Sequence, residues 1–309
     1  MIYTVTLNPS LDYLAEVPEF CMGRVNRTAA ETLRAGGKGI NVSRMLKNLG
    51  VDSIALGFLA GFTGEEIARQ VQEEGIAADF IRLEQGVSRL NVKLCAAGGT
   101  EINGRGPAVG EEPLALLRKR LTCLRPGDIL CLSGSLPRGV PHTIYRDLAA
   151  GAAARGAETV VDAAGEALLA ALPAKPLLIK PNQQELGALF DVQIRTPEEA
   201  VPYARGLQAR GARNVLASFG GAGAVFLSED GETETLPAPS GRAMDPVGAG
   251  DSMVAGFLAG LLEGETWRGA FHLAVAAGSA SAFSKGFAAR AQVETLRREL
   301  ETRDGAGKP

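Results

Sequence analysis

The sequence predicts an α/β fold: a doubly wound, mostly parallel sheet flanked by helices, with a small β-sheet lid. Three observations predict it. From residue 38 onward, helical periods alternate with short apolar runs, the pattern of parallel strands joined by helices that cover both sheet faces. Two stretches, about residues 11–35 and 88–105, break that rhythm and read as strands of a second sheet inserted into the first. A chain of 309 residues, 46% hydrophobic and 22% charged, has material for one large domain with a small appendage.

Taken in order, Val42, Met45, Leu46 and Leu49 mark one face of the first helix, and Gly50 stops it. VDSIALGFLAG follows as a strand. Thr63 with Glu66, and Thr196 with Pro197 and Glu199, carry the capping-box spacing of two further helix starts. DILCLSG, ETVVDAAG, KPLLIKPN and RNVLASFG read as buried strands, and the last runs on into a hairpin turned at Asp230 and Gly231. In the lid, Leu90, Val92 and Leu94 alternate, turn at Gly98 and Gly99, and return through Ile102. Such a small sheet leaves a face and edges open, which favours dimerisation or closure over a ligand. Only the tail RDGAGKP reads as disordered.

Composition narrows the function. With 32 basic and 35 acidic residues and a net charge of -3, no half of the chain has the basic excess that a nucleic-acid binder needs. The N-terminus lacks a basic n-region, and MVAGFLAGLL, the longest apolar run, is about half of what spans a bilayer, so a cytoplasmic protein without a membrane partner is expected. Cys21, Cys95, Cys123 and Cys131 lack C-x-x-C spacing and are expected as buried thiols, and His142 and His272 as structural residues.

Ligands of open α/β sheets bind at the carboxyl ends of strands, and five places there carry chemistry. In DPVGAGDSMVAGF, helical spacing from Met253 puts the helix start near Gly250, so the backbone N–H groups of Gly248, Ala249, Gly250 and Asp251 can meet an anion. Asp251 reads either as a cap of that helix or as a base. In KPNQQE, Asn182 and Glu185 share one helix face if the helix starts at Pro181; they could hold a magnesium water shell, or simply form an acidic helix start. SFGGAGAVF suits a phosphate-contacting turn or a hairpin entry, and no G-x-x-x-x-G-K-[ST] motif occurs. AGGKGINVS opens the first helix as an anion or polyol site, or as a hinge. On or near the lid stand Asp12, Arg24, Arg27, Arg89, Lys93 and Arg105, with Ser133 and Ser135 opposite; their guanidinium forks suit phosphate, though each alone reads as a surface charge.

In this order the motifs resemble the PfkB carbohydrate kinase family, of ribokinase-like fold, over about residues 4–287. PVGAGDSMVAGF is similar to the family's C-terminal signature and GGKGINVSRMLKNLG to its N-terminal one. The resemblance implies one ribokinase-like kinase domain over residues 1–309 and phosphorylation of a sugar hydroxyl with ATP and Mg²⁺. By position, Asp251 matches the catalytic base, and Gly248, Ala249 and Gly250 the anion hole. Lys180, Asn182, Ser218, Gly220 and Gly223 match nucleotide contacts, Val275 and Ser279 lie near the adenine, and Glu185 organises magnesium through water. Asp12, Gly37, Lys38, Gly39 and Asn41 match sugar contacts, and Arg89 and Ser135 the sugar-phosphate side. A homodimer through the lid would add Arg24 or Arg27 from the partner. The positive end of the helix at Asp251 is expected to keep the base ionised.

TVTLNPSLD, SRLNVKL and TEINGRGP resemble most the 1-phosphofructokinase branch, which implies conversion of fructose 1-phosphate to fructose 1,6-bisphosphate. The tagatose-6-phosphate kinase and 6-phosphofructokinase branches share much of this pattern and stay open as alternatives. Pro246 replaces a threonine common in relatives, which puts a monovalent-cation requirement in doubt, and Phe219 replaces leucine. Two rival classes weigh less. A sugar-phosphate-sensing binding protein predicts a lost base or a broken anion loop, and a nicotinamide-dependent oxidoreductase predicts a glycine fingerprint after the first strand, where TLNPSLD stands.

Overall fold

The computed structural model describes residues 1–95 and 99–306. β1 (Ile2–Thr6) leads into two lid strands, β2 (Ser10–Glu16) and β3 (Ala30–Gly36). Then α1 (Lys38–Asn48), β4 (Ser53–Ala60), α2 (Gly61–Glu73) and β5 (Ala77–Leu83) return the chain to the main sheet. A second excursion makes β6 (Arg89–Cys95) and β7 (Thr100–Asn103). The alternation resumes with α3 (Glu111–Arg120), β8 (Ile129–Ser133), α4 (Ile144–Ala153), β9 (Glu158–Asp162), α5 (Gly165–Ala171), β10 (Leu178–Ile179), α6 (Gln183–Phe190), α7 (Val201–Ala209) and β11 (Asn214–Ser218). The hairpin β12 (Ala224–Leu227) and β13 (Thr233–Leu236) precedes the last helices, α8 (Ala249–Leu262), α9 (Trp267–Ala282) and α10 (Arg290–Ala306).

The main sheet has the order β13-β12-β11-β10-β9-β8-β1-β4-β5, parallel except for the terminal hairpin. Its inner strands, from β12 to β4, are buried on both faces, and their alternation separates two large cores, with a smaller third one under α2 and the lid. Leu130 and Leu132 join one core with Leu148 and Ala149 of α4; Ile129 and Cys131 join the other with Val254 and Phe257 of α8 and Phe271 of α9. β1 is the switch point: the chain builds outward to β4 and β5 on one side, then starts afresh at β8 on the other. A crevice therefore opens at the carboxyl ends near Thr6 and Ser133.

The lid is a separate sheet of order β3-β2-β6-β7, made from the two segments that broke the β/α rhythm. Its register aligns a polar row, Arg34, Asp12, Asn91 and Asn103, and next to it an apolar row, Leu33, Tyr13, Val92 and Ile102. Adjacent rows of a pleated sheet face opposite sides, so the lid has one polar and one apolar face at this level.

Several local expectations are corrected. Thr63 does not cap α2, because the chain turns directly out of β4 at Gly61 and the helix starts two residues earlier; its hydroxyl donates to Ser88 O (2.7 Å) and Glu66 pairs with Arg69. Thr196 accepts from the Glu199 N–H (3.4 Å), but the Glu199 carboxylate turns to the Arg195 N–H (2.8 Å), giving half a capping box. The tail expected to be disordered continues α10 as far as Ala306, extending a helix that Val293 and Leu300 anchor in the core. Residues 307–309, like Gly98 of the expected lid turn, lie outside the described residues. Of the cysteines only Cys131 is buried, its thiol pushed up to about 12 by burial; Cys21, Cys95 and Cys123 lie exposed in connections and at a strand end. Among the described residues no helix is long and apolar enough to cross a membrane.

Candidate active site

α8 starts at Ala249 with Gly248 as its N-cap, held in the left-handed region at φ 82°. A Cβ there would lie 2.5 Å from the Phe287 ring, so only glycine fits. No side chain caps this helix. The first i to i−4 bond is that of the Ser252 N–H to Gly248 O (2.8 Å), which leaves the Gly250 and Asp251 N–H groups in the first turn without an intrahelical carbonyl. They form a ready anion site, with the helix dipole behind them.

Asp251 is thus not the cap. It is 6% exposed and accepts from Asn41 Nδ2 (2.7 Å). Burial, and then the charge of nearby Asp162, push its pKa up to about 6, against the pull of Lys38, Asn41 and Lys180. The carboxylate stays largely ionised near pH 7, as expected, but desolvation has raised its pKa rather than the helix terminus lowering it. Asn41, expected against the sugar, gives one amide hydrogen to Asp251.

Asp162 is the residue that the sequence reading missed. It ends β9 fully buried, with Lys38 Nζ 2.9 Å and Lys180 Nζ 3.5 Å from Oδ1, while Oδ2 has no partner among the described residues. Burial disfavours its carboxylate, but the two lysines outweigh burial and hold its pKa below the ordinary value. Burial likewise disfavours the Lys38 ammonium, and Asp162, Glu185 and Asp251 outweigh it and raise its pKa. An acid closing the apolar run ETVVD was the available signal, since a buried charge has to be paired.

Asn182 and Glu185 form a capping box: Asn182 Oδ1 accepts from the Glu185 N–H (2.8 Å) and Glu185 Oε2 from the Asn182 N–H (2.9 Å), so α6 starts at Gln183 rather than Pro181. Glu185 Oε1 remains, 3.7 Å from Lys38 Nζ. A cleft of about 940 Å³ brings together Lys180, Asn182, Ser218, Gly220 and Gly223 on one wall, Val275 and Ser279 of α9 on the other, and Lys38 with Gly248, Ala249, Gly250 and Asp251 at the α8 terminus. Lys38 also lines a second cavity of about 480 Å³ with Ser135, Glu185 and His142. His142, expected as structural, is therefore at the rim of the site, 3.5 Å from Glu166, whereas His272 is buried against Glu234 (2.9 Å).

On the lid, Asp12 is buried and accepts from Ser10 Oγ (2.7 Å) and Asn91 Nδ2 (2.8 Å), with Lys93 Nζ 3.1 Å away. Arg89 donates to Asn8 O (3.0 Å), and burial lowers its pKa. Gly37 is the N-cap of α1, and Gly39 packs on β1, where a Cβ would lie 2.6 Å from Thr6 Oγ1. Arg24 and Arg27 are exposed in the β2–β3 connection and line neither cavity. Arg34 ties the lid to the loop before α8, with Nη1 3.3 Å from Asp245 Oδ2.

The sequence profile of the pfkB family carbohydrate kinases matches residues 6–294. The chain belongs to the PfkB carbohydrate kinase family. Its ribokinase-like architecture is the one expected from the motifs. Among PfkB relatives it is 44% identical over 301 residues to a 1-phosphofructokinase of Bacillus subtilis, covering 97% of this chain and 99% of that one. It is 39% identical over 287 residues to a D-tagatose-1-phosphate kinase of Bacillus licheniformis, covering 93% and 94%. A crystal structure of phosphofructokinase-2 from Escherichia coli in complex with substrates and products superposes with a TM-score of 0.90 at 30% identity, covering 97% and 99%. As a PfkB protein the chain is a sugar-phosphate kinase, which removes the sensing-protein and oxidoreductase alternatives.

Proposed function

We propose that the chain is a 1-phosphofructokinase of the cytoplasm, moving the γ-phosphoryl group of ATP to the free primary hydroxyl of fructose 1-phosphate. The observation that carries this reading is a buried carboxylate, Asp251, at an uncapped helix terminus facing a 940 Å³ cleft, in a chain 44% identical to a 1-phosphofructokinase. Asp251 takes the hydroxyl proton as the oxygen attacks phosphorus, since an acid with a pKa of about 6 cannot remove it beforehand. The Gly250 and Asp251 N–H groups receive the charge on the moving phosphoryl group, with Lys180 Nζ 3.1 Å from where a Cβ on Gly250 would lie and Lys38 lining the same cleft. Lys180, Asn182, Ser218, Gly220 and Gly223 hold the nucleotide phosphates, with the adenine near Val275 and Ser279; Asp12, Gly37, Gly39, Arg89 and Ser135 serve the sugar phosphate.

Magnesium fits this donor set. Among the described residues no three His, Cys, Asp or Glu side chains enclose a metal, but Mg²⁺ keeps most of its waters, and Glu185 with the unpartnered Asp162 Oδ2 offers two hard oxygen acceptors for them. When bound, the ion neutralises phosphate charge.

The D-tagatose-1-phosphate kinase relative favours a second reading, because tagatose differs from fructose only in the configuration at C4. Steady-state kinetics with ATP and Mg²⁺ on fructose 1-phosphate, tagatose 1-phosphate, fructose 6-phosphate and tagatose 6-phosphate separate these readings. Fructose 1-phosphate is expected to have the highest kcat/KM; any other order overturns the assignment.

The apolar lid row supports a homodimer. Leu33 and Ile102 at its ends are 46% and 59% exposed, and Met22 and Val25 in the β2–β3 connection are 89% and 87% exposed. Pairing two lids buries these rows and brings Arg24 or Arg27 toward the partner's sugar site. The double variant Leu33→Lys, Ile102→Lys is expected to sediment as a monomer where the parent sediments as a dimer; an unchanged dimer places the interface elsewhere.

A further inference from the structure

We infer that Arg44 is a positioning residue of this site: it fixes the Asn41 amide so that the NH₂ group, and not the oxygen, faces Asp251. The inference rests on Asp251 as the base.

Arg44 lies one helical turn beyond Asn41 on α1, and its Nη1 donates to Asn41 Oδ1 (2.9 Å), while Asn41 Nδ2 donates to Asp251 Oδ2 (2.7 Å). A guanidinium only donates and a carboxylate only accepts, so an amide held between them satisfies both in a single orientation. Without Arg44, nothing at the outer end of the amide opposes rotation about its terminal bond. That rotation would set oxygen against carboxylate and release the base.

Arg44 is itself fixed. Nε and Nη2 bind both oxygens of Glu74 (2.6 and 2.9 Å), and Nη2 also donates to Ala35 O (3.1 Å). Glu74 is the C-cap of α2, so the series from Glu74 through Arg44 and Asn41 to Asp251 runs from one helix end to the start of another. The fork also reaches the anion loop. Its Cζ lies 5.2 Å over the Phe287 ring, and that ring fills the space where a Cβ on Gly248 would be. One side chain thereby braces the partner of the base and the ring behind the phosphoryl donors. Glu74 and Arg44 line neither cavity, so their effect on Asp251 passes through Asn41, while Phe287 is also held by its packing against the core, independently of the guanidinium.

The test is a double-mutant cycle in the full-length protein, assayed with ATP and the best of the four sugar phosphates. Arg44→Met keeps the stem and removes the fork. It is expected to lower kcat about 10- to 100-fold, with KM for either substrate changed by less than about threefold, since misplacing a reacting group by about 1 Å costs up to about 10²-fold. In an Asn41→Ala background the same change is expected to lower kcat by less than about twofold, because residues acting in series are not additive. Arg44→Lys keeps the charge without the fork and is expected to recover only part of the loss. Effects of Arg44→Met and Asn41→Ala that multiply, or an Arg44→Met enzyme with parental kcat, overturn the inference. If Arg44→Met does not fold, Glu74→Gln on the surface carries the test: a fall in kcat of about three- to tenfold that vanishes beside Asn41→Ala supports the inference, and an unchanged kcat overturns it. Full turnover in Asp251→Asn removes the base assignment instead; an inactive Asp251→Asn beside a normal Arg44→Met removes only the role of Arg44.

Discussion

Replacing Asp251 by asparagine is expected to lower kcat by about 10²- to 10⁴-fold while both substrates still bind. The change is nearly isosteric, and the new amide oxygen can still accept from Asn41 Nδ2, so the fold and the anion loop should survive it. What disappears is the acceptor for the hydroxyl proton. The phosphoryl donors and Lys38 remain, and they carry much of the barrier in a transfer governed by alignment and charge neutralisation, which is why residual activity is expected. The pH profile gives a second readout. A base has to be ionised to accept the proton, and burial raises the Asp251 pKa to about 6, so with Asp251 in that role kcat/KM of the parent should fall as pH drops through about 6 and level off above it. Asp251→Asn should lose that contribution to the acid limb along with its activity. Near-normal turnover in the variant would take Asp251 out of the mechanism.

Asp162→Asn is expected to have the largest effect on stability, about 3–5 kcal/mol, read as a lowered denaturation midpoint in urea. Lys180 is 3% exposed and has Asp162 as its carboxylate, at 3.5 Å; removing that charge leaves a buried ammonium uncompensated. Lys38 is better placed, being a third exposed and 3.7 Å from Glu185. The same substitution removes the like charge that is second only to burial in raising the Asp251 pKa, so the acid limb of kcat/KM should move below about 6. An unchanged midpoint would mean that Lys180 finds solvent or another partner, and that the buried pair is dispensable to the fold.

The ribokinase-like architecture was largely legible in the sequence because its signals are local. Period-2 and period-3.6 apolar spacing, the loss of rhythm over residues 11–35 and 88–105, and the Asp230 and Gly231 turn each depend on a few neighbouring residues. Helix caps were less legible. Thr63 has the right spacing but is overruled by the turn at Gly61, and the N-x-x-E spacing of Asn182 and Glu185, read as a possible metal site, is also a complete capping box. Local spacing cannot tell which of two compatible bonds a side chain will make.

By itself the sequence determined which motifs end strands and open helices, and so placed Lys180, Asn182, Ser218, Gly220, Gly223 and the turn from Gly248 to Asp251 on the cleft, whereas Asp12, Gly37, Gly39, Asn41 and Arg89 line neither cavity. Only the tertiary structure decided how those residues are charged and held. Asn41 meets Asp251 across 210 positions, and Lys38 meets Asp162 across 124. Burial, unreadable from any one segment, raised the Asp251 pKa to about 6, where the helix terminus alone would have lowered it. Desolvation and charge pairing depend on what packs around a group, and that is assembled from the whole chain at once.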